Sequence, residues 1–136
     1  MEERGRRTFA GRADQVAAAR RFVASHLRRG SAREVSSLLV SEAATNAVLH
    51  SASGHSAGSF VVQYALSDHR LRVEVSDDGG PSEPRRRVHG IESLTGRGLE
   101  LFDGLSSRWG VDGGPAGRVV WFELDLEDAE VGRWSW

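Results

Sequence analysis

Near residue 59 the hydrophobic period of this chain changes, and few folds accommodate both halves. Before that point apolar residues recur at helical spacing: Val16, Ala19, Phe22, Val23 and Leu27 follow Asp14, and a second run opens at Ser31. After it they alternate, with Phe60, Val62, Tyr64 and Leu66 on one face of a strand and Leu71, Val73 and Val75 on one face of the next. The pattern predicts a short edge strand over 6–10 and a helix over Arg12–Arg29 that Gly30 ends. A second helix runs from Ser31 to about Ser51, opened by the capping-box pair Ser31 and Glu34. Ser67–His69 is read as a hairpin turn, and Leu99, Phe102 and Leu105 mark a third helix from about Gly98 to Ser107. Trp109–Val111 and Arg118–Leu126 form a second hairpin through the turn Asp112–Gly117. Strands adjacent in sequence pair as hairpins while the helices are amphipathic. The expected fold class is therefore α+β: a two-layer α/β sandwich with a mixed, mostly antiparallel sheet and helices on one face.

A chain of 136 residues suits one core, expected over residues 1–126, with 127–136 as a C-terminal tail in which docking of Trp134 and Trp136 is the minority reading. Arginine supplies all 18 cationic side chains; the absence of lysine excludes the Walker P-loop, Schiff-base chemistry and lysine bases. The absence of cysteine excludes thiol nucleophiles, disulfides and thiolate metal sites. A net charge of −1 and a pI near 6.5 give no global attraction to nucleic acid or to an anionic membrane. No run is long enough for a membrane span and the first residues lack the apolar core of a secretory signal, so a cytoplasmic location is expected. The five histidines show no zinc-binding spacing.

Three polar interruptions carry the chemistry. At about 100° per residue, Leu38, Leu49, Glu42, Val35, Asn46 and Leu39 fall within about 100° of one another on the second helix, which sets Glu42 and Asn46 inside an apolar stripe. A carboxylate and an amide there need partners, met equally well by a self-satisfied buried pair or by a ligand site. Period two then places Asp77 on the inward face of its strand, directly before Asp78-Gly79-Gly80-Pro81. An inward acid at a strand end suits ligand recognition, and so does a turn closed onto its own backbone. Last, Thr95-Gly96-Arg97-Gly98-Leu99 puts glycines before a helix, where backbone N–H groups can approach a phosphate or merely turn the chain.

Taken together and in order, these segments resemble the GHKL (Bergerat-fold) ATPases, the superfamily of gyrase, MutL and histidine-kinase catalytic domains. Ser41-Glu42-Ala43-Ala44-Thr45-Asn46-Ala47-Val48-Leu49-His50 is similar to the N box, Val75-Ser76-Asp77-Asp78-Gly79-Gly80 to the G1 box, and Gly96-Arg97-Gly98-Leu99 to the G2 box. The short length, the N-terminal helix and the segments Trp109-Gly110-Val111 and Val120-Trp121-Phe122-Glu123-Leu124 resemble the RsbW-type anti-sigma-factor serine/threonine kinases in their actinobacterial style. The resemblance implies ATP and Mg²⁺ as cofactors. It makes Asn46 the Mg²⁺ ligand, Asp77 the acceptor for the adenine amino group, and Gly79 the point of close approach to the base. The backbone at Gly96, Arg97, Gly98 and Leu99 would line the phosphates, with Glu42 as general base toward a serine hydroxyl. The implied partners are a sigma factor and an anti-anti-sigma (STAS-type) protein, with the N-terminal helix, including Arg20 and Arg28, as a partner or homodimer surface. The sequence departs from the pattern at two positions: Pro81 stands where a glycine is expected, and Val119 where many relatives carry a threonine near the adenine. They leave open an alternative, a nucleotide-sensing or nucleotide-indifferent regulatory binding module with weak or no kinase activity. Arg85, Arg86 and Arg87 are read as a solvated loop.

Overall fold

A computed structural model describes residues 2–50, 58–77, 99–114 and 117–127. In chain order the elements are β1 (Glu2–Ala10), a single 3-10 turn (Ala13–Gln15), α1 (Val16–Ala24), α2 (Ser31–His50), β2 (Ser59–Ser67), β3 (Arg70–Asp77), α3 (Leu99–Leu105), β4 (Arg108–Gly114) and β5 (Gly117–Asp125). The five strands lie in the order β1-β2-β3-β5-β4. Each neighbouring pair is antiparallel, whereas a mixed sheet was expected; β5 folds back between β3 and β4. No helix among the described residues is long and apolar enough to cross a membrane.

Alternation along the inner strands does what the sequence pattern predicts. Phe60, Val62, Tyr64 and Leu66 of β2, Leu71, Val73 and Val75 of β3, and Val120, Phe122 and Leu124 of β5 are all buried in one layer beneath the helices. Phe102 of α3 joins them, edge-on to Phe122 at a centroid separation of 6.0 Å. β1 is longer than the expected 6–10, because it pairs with β2 along its whole length, from Glu2 opposite Ser67 to Ala10 opposite Ser59. α1 is shorter than expected, since beyond Ala24 the bonds from His26 to the Val23 carbonyl and from Leu27 to the Ala24 carbonyl tighten the chain into turns. At the start of α2 the Gly30 carbonyl accepts the first helical bond, from Glu34 N–H at 3.1 Å, so the cap position falls on Gly30 rather than Ser31.

The largest correction concerns which way α2 faces. Its buried residues are Ala32, Ser36, Leu39, Val40, Ala43, Ala44, Asn46 and Ala47, whereas Leu38 and Leu49 are 40% and 61% exposed. On the wheel used above this arc runs from about 80° to 240°, turned by roughly 110° from the stripe drawn through the leucines. Four alanines share this buried arc with Leu39 and Val40, and the helix packs against α1 as well as against β3. Of the two polar residues assigned to the stripe, Asn46 is buried at the edge of the arc, and Glu42 lies outside it, half-buried.

Candidate functional site

Glu42 and Asn46 stand one helical turn apart on α2, which packs against β3, the strand that ends in Asp77. Asn46 is 3% exposed and Asp77 8%. The pleat of β3 turns Asp77 to the helix side with Leu71, Val73 and Val75, as the period of two requires. Helix, strand and hydrophobic layer therefore present an amide and a carboxylate on the same side of the sheet, where a polar group must be satisfied to be tolerated.

Asp77 meets a partner that sequence reasoning missed. Arg118 lies directly opposite it across the β3–β5 pairing and donates from Nε at 3.3 Å and Nη2 at 3.1 Å, both to Asp77 Oδ2. Each side chain of this ion pair is 2% exposed. The signal was present: on β5 the inward row of Val120, Phe122 and Leu124 extends by period two to Arg118, an arginine in an apolar register. Val119, the position compared above with an adenine-side threonine, belongs to the other face of the sheet and pairs with Ser76. It is therefore Arg118, not Val119, that reaches Asp77. The turn beside it is held by Gly113, whose φ of +100° suits glycine and which pairs with Arg118 across β4–β5. A Cβ at Gly113 would lie 2.2 Å from the Gly117 carbonyl oxygen and 2.9 Å from the Arg118 Cα.

Leu99 opens α3 as expected; Gly79, Gly96, Arg97 and Gly98, together with Pro81, Arg85, Arg86, Arg87, Trp134 and Trp136, lie outside the described residues. Among the described residues no group of three His, Asp or Glu side chains could hold a metal ion. Among the described residues Asn46 is the one assigned to the implied magnesium, and an amide oxygen is the hard donor that Mg²⁺ accepts alongside water and phosphate oxygens. Arg20 is half-buried and donates to Ser41 Oγ at 3.0 Å, tying α1 to α2, whereas Arg28 is exposed.

Two other polar groups lie away from this site. Tyr64 Oη is 2.9 Å from His26 Nε2 and donates to Glu3 Oε2 at 3.2 Å, while His26 Nδ1 is 3.1 Å from the same oxygen, so the group fastens β1 to the end of α1. Burial, and then the Glu3 carboxylate, push the Tyr64 phenol up to about 12. On the helix-free face a cleft of about 670 Å³ is lined by Arg4, Gln63, Arg70, Arg72, Glu74 and Glu123 among others. There Arg108 Nε donates to Glu123 Oε1 at 2.6 Å and Arg72 Nη1 to Oε2 at 2.9 Å; the Arg108 bond is the main cause holding the Glu123 carboxyl below its ordinary value. Its Arg70 and Arg72 are paired with Glu123 and Glu74, and it lies on the opposite side of the sheet from Asn46 and Asp77.

The family model for the histidine kinase-like ATPase domain matches residues 9–124, from Phe9 in β1 to Leu124 in β5. No curated protein matches the chain. The match takes in α2 with Glu42 and Asn46, the end of β3, and all of the hydrophobic layer, which bears out the resemblance at the level of the superfamily and implies ATP as the ligand. The chain belongs to the histidine kinase-like ATPase domain family.

Proposed function

We propose that this ATP-binding domain is a regulatory protein serine/threonine kinase that binds a sigma factor and phosphorylates an anti-anti-sigma protein on serine. The observation that carries the reading is the division of labour on α2: Asn46 is buried at the helix–sheet margin, and Glu42, one turn away, is only half-buried. A metal-binding amide profits from a fixed, enclosed position, whereas a general base must be reachable by the hydroxyl of another protein. Asn46 would hold Mg²⁺, which supplies charge neutralisation across the phosphates when bound. Glu42 accepts the proton of the seryl hydroxyl as its oxygen attacks the γ-phosphorus; the β–γ bridging bond breaks and ADP leaves.

The test is transfer of labelled γ-phosphate from Mg²⁺-ATP to co-purified partner proteins, followed by phosphoserine analysis. Glu42→Gln should cut the transfer rate by roughly 10²- to 10⁴-fold with ATP affinity little changed. Asn46→Ala should lose Mg²⁺-dependent binding and transfer together. If Glu42→Gln instead lowers the melting temperature while the folded fraction transfers phosphate normally, Glu42 is a packing residue and the mechanism is wrong. One observation favours the second reading, a regulator that binds its partners without phosphoryl transfer: the carboxylate assigned to adenine is engaged by Arg118.

A further inference from the structure

The Asp77–Arg118 pair bears on base recognition itself. Both side chains are 2% exposed, so no nucleobase reaches the Asp77 carboxylate while the pair stands as it does. The guanidinium puts two donors on Oδ2, the same kind of group that an exocyclic amine would offer. Arg118 comes from the strand paired with β3, directly opposite Asp77, and the pinched turn at Gly113 fixes its backbone. From this geometry we infer that Arg118 is the specificity-determining residue of the base site: it competes with the adenine amino group for Asp77, and in doing so lowers adenine affinity and narrows discrimination between adenine and guanine.

A carboxylate alone accepts from the adenine amino group and repels the guanine carbonyl oxygen at the corresponding position. With a guanidinium beside it, the site also offers donors, so guanine is no longer penalised and adenine must first displace an internal ligand. The apparent affinity for adenine is then reduced by the fraction of molecules in which the pair is open. This rests on the assignment of the adenine site above.

Binding of Mg²⁺-ATP and Mg²⁺-GTP is measured by calorimetry, near pH 8, on the full chain and on Arg118→Met. The variant should bind ATP at least about tenfold tighter, with GTP unchanged or weaker, so that the ATP-to-GTP ratio rises by a similar factor. A packing role alone would not move that ratio. On the unsubstituted protein the Arg118 Nε–H resonance, assigned by its change in Asp77→Asn, should shift at saturating ADP; this arm stands even if Arg118→Met does not fold. An unmoved resonance, or a folded Arg118→Met with unchanged or weaker ATP binding and an unchanged ratio, overturns the inference and leaves the kinase reading intact, because the parent protein still binds ATP. If neither protein binds ATP or ADP at millimolar concentration while folded, the adenine assignment falls and the inference falls with it.

Discussion

The Asp77–Arg118 pair should be the most strongly coupled pair of side chains among the described residues. Both partners are 2% exposed and the hydrogen bonds between them are 3.1 and 3.3 Å long, so removing either leaves an opposite charge buried beside the hydrophobic layer. Each of Asp77→Asn and Arg118→Met should cost about 3–5 kcal/mol. Independent sites would make the double variant cost about 6–10 kcal/mol. The double variant buries no charge, and its cost should instead fall to about 1–3 kcal/mol, that of an amide short of a partner. The expected coupling is therefore on the order of 5 kcal/mol, several times what an exposed pair gives. Urea unfolding followed by the fluorescence of Trp109 and Trp121, on the neighbouring strands β4 and β5, measures all four proteins. Since a whole domain is stable by only about 5–15 kcal/mol, the single variants should also show visibly lower midpoints. Single losses below about 1 kcal/mol, or a double variant equal to the sum of the two, would refute the argument that the pair is closed and mutually dependent.

Gly113→Ala should destabilise the β4–β5 hairpin, by about 1–3 kcal/mol from the positive φ before the contact with the Gly117 carbonyl is counted. Thermal unfolding measures it, and a loss under about 0.5 kcal/mol would show that the turn relaxes freely. Tyr64 is the only tyrosine in the chain, so alkaline titration of phenolate absorbance reads it directly. Its folded value of about 12 against an ordinary 10.0 means the native state keeps a proton that the unfolded chain has lost. Stability from this group is therefore complete below about pH 10 and falls as pH rises through the folded value. Ionisation near pH 10 with native circular dichroism would contradict the burial and Glu3 contact described here. Tyr64→Phe should abolish the signal.

How much was legible in the sequence depended on the kind of side chain asked. Strands β2 and β3 read correctly because Phe60 to Leu66 and Leu71 to Val75 are large and alternate cleanly, so one face buries only in one register. Asp77 inherited its inward direction from that same period. The orientation of α2 did not read correctly, because a pattern weighted toward leucine passes over alanine. Ala32, Ala43, Ala44 and Ala47 lie in the buried arc, and Leu38 and Leu49 are left toward solvent. The displaced stripe still kept Asn46 at the buried margin, so its burial was read for a partly wrong reason, whereas Glu42 was assigned more burial than it has. Arg118 was missed because it stood in a strand read only for its hydrophobic residues.

One side of the sheet carries the packing of α2 together with Asn46, Asp77 and Arg118. A helix that buried the stripe through Leu38 and Leu49 would bury Glu42 with Asn46, at the cost of desolvating a carboxylate. Alanines share the buried arc of α2 with Leu39 and Val40, and the two polar residues lie at or beyond its border, where Asn46 is enclosed and Glu42 is half-buried. On β5, Arg118 lies on the same side of the sheet, and its charge is tolerable at 2% exposure because Asp77 lies directly across the ladder. A substitution that alters the depth of α2, such as Ala43→Leu, should therefore disturb more than the core. It would raise the helix by overpacking and displace Asn46 relative to Asp77. Loss of nucleotide affinity alongside a stability loss of about 1–3 kcal/mol is the expected result, measured by calorimetry and urea unfolding on the same preparation. Unchanged affinity in a variant destabilised by that amount would mean that the position of Asn46 is set by something other than the alanine contact.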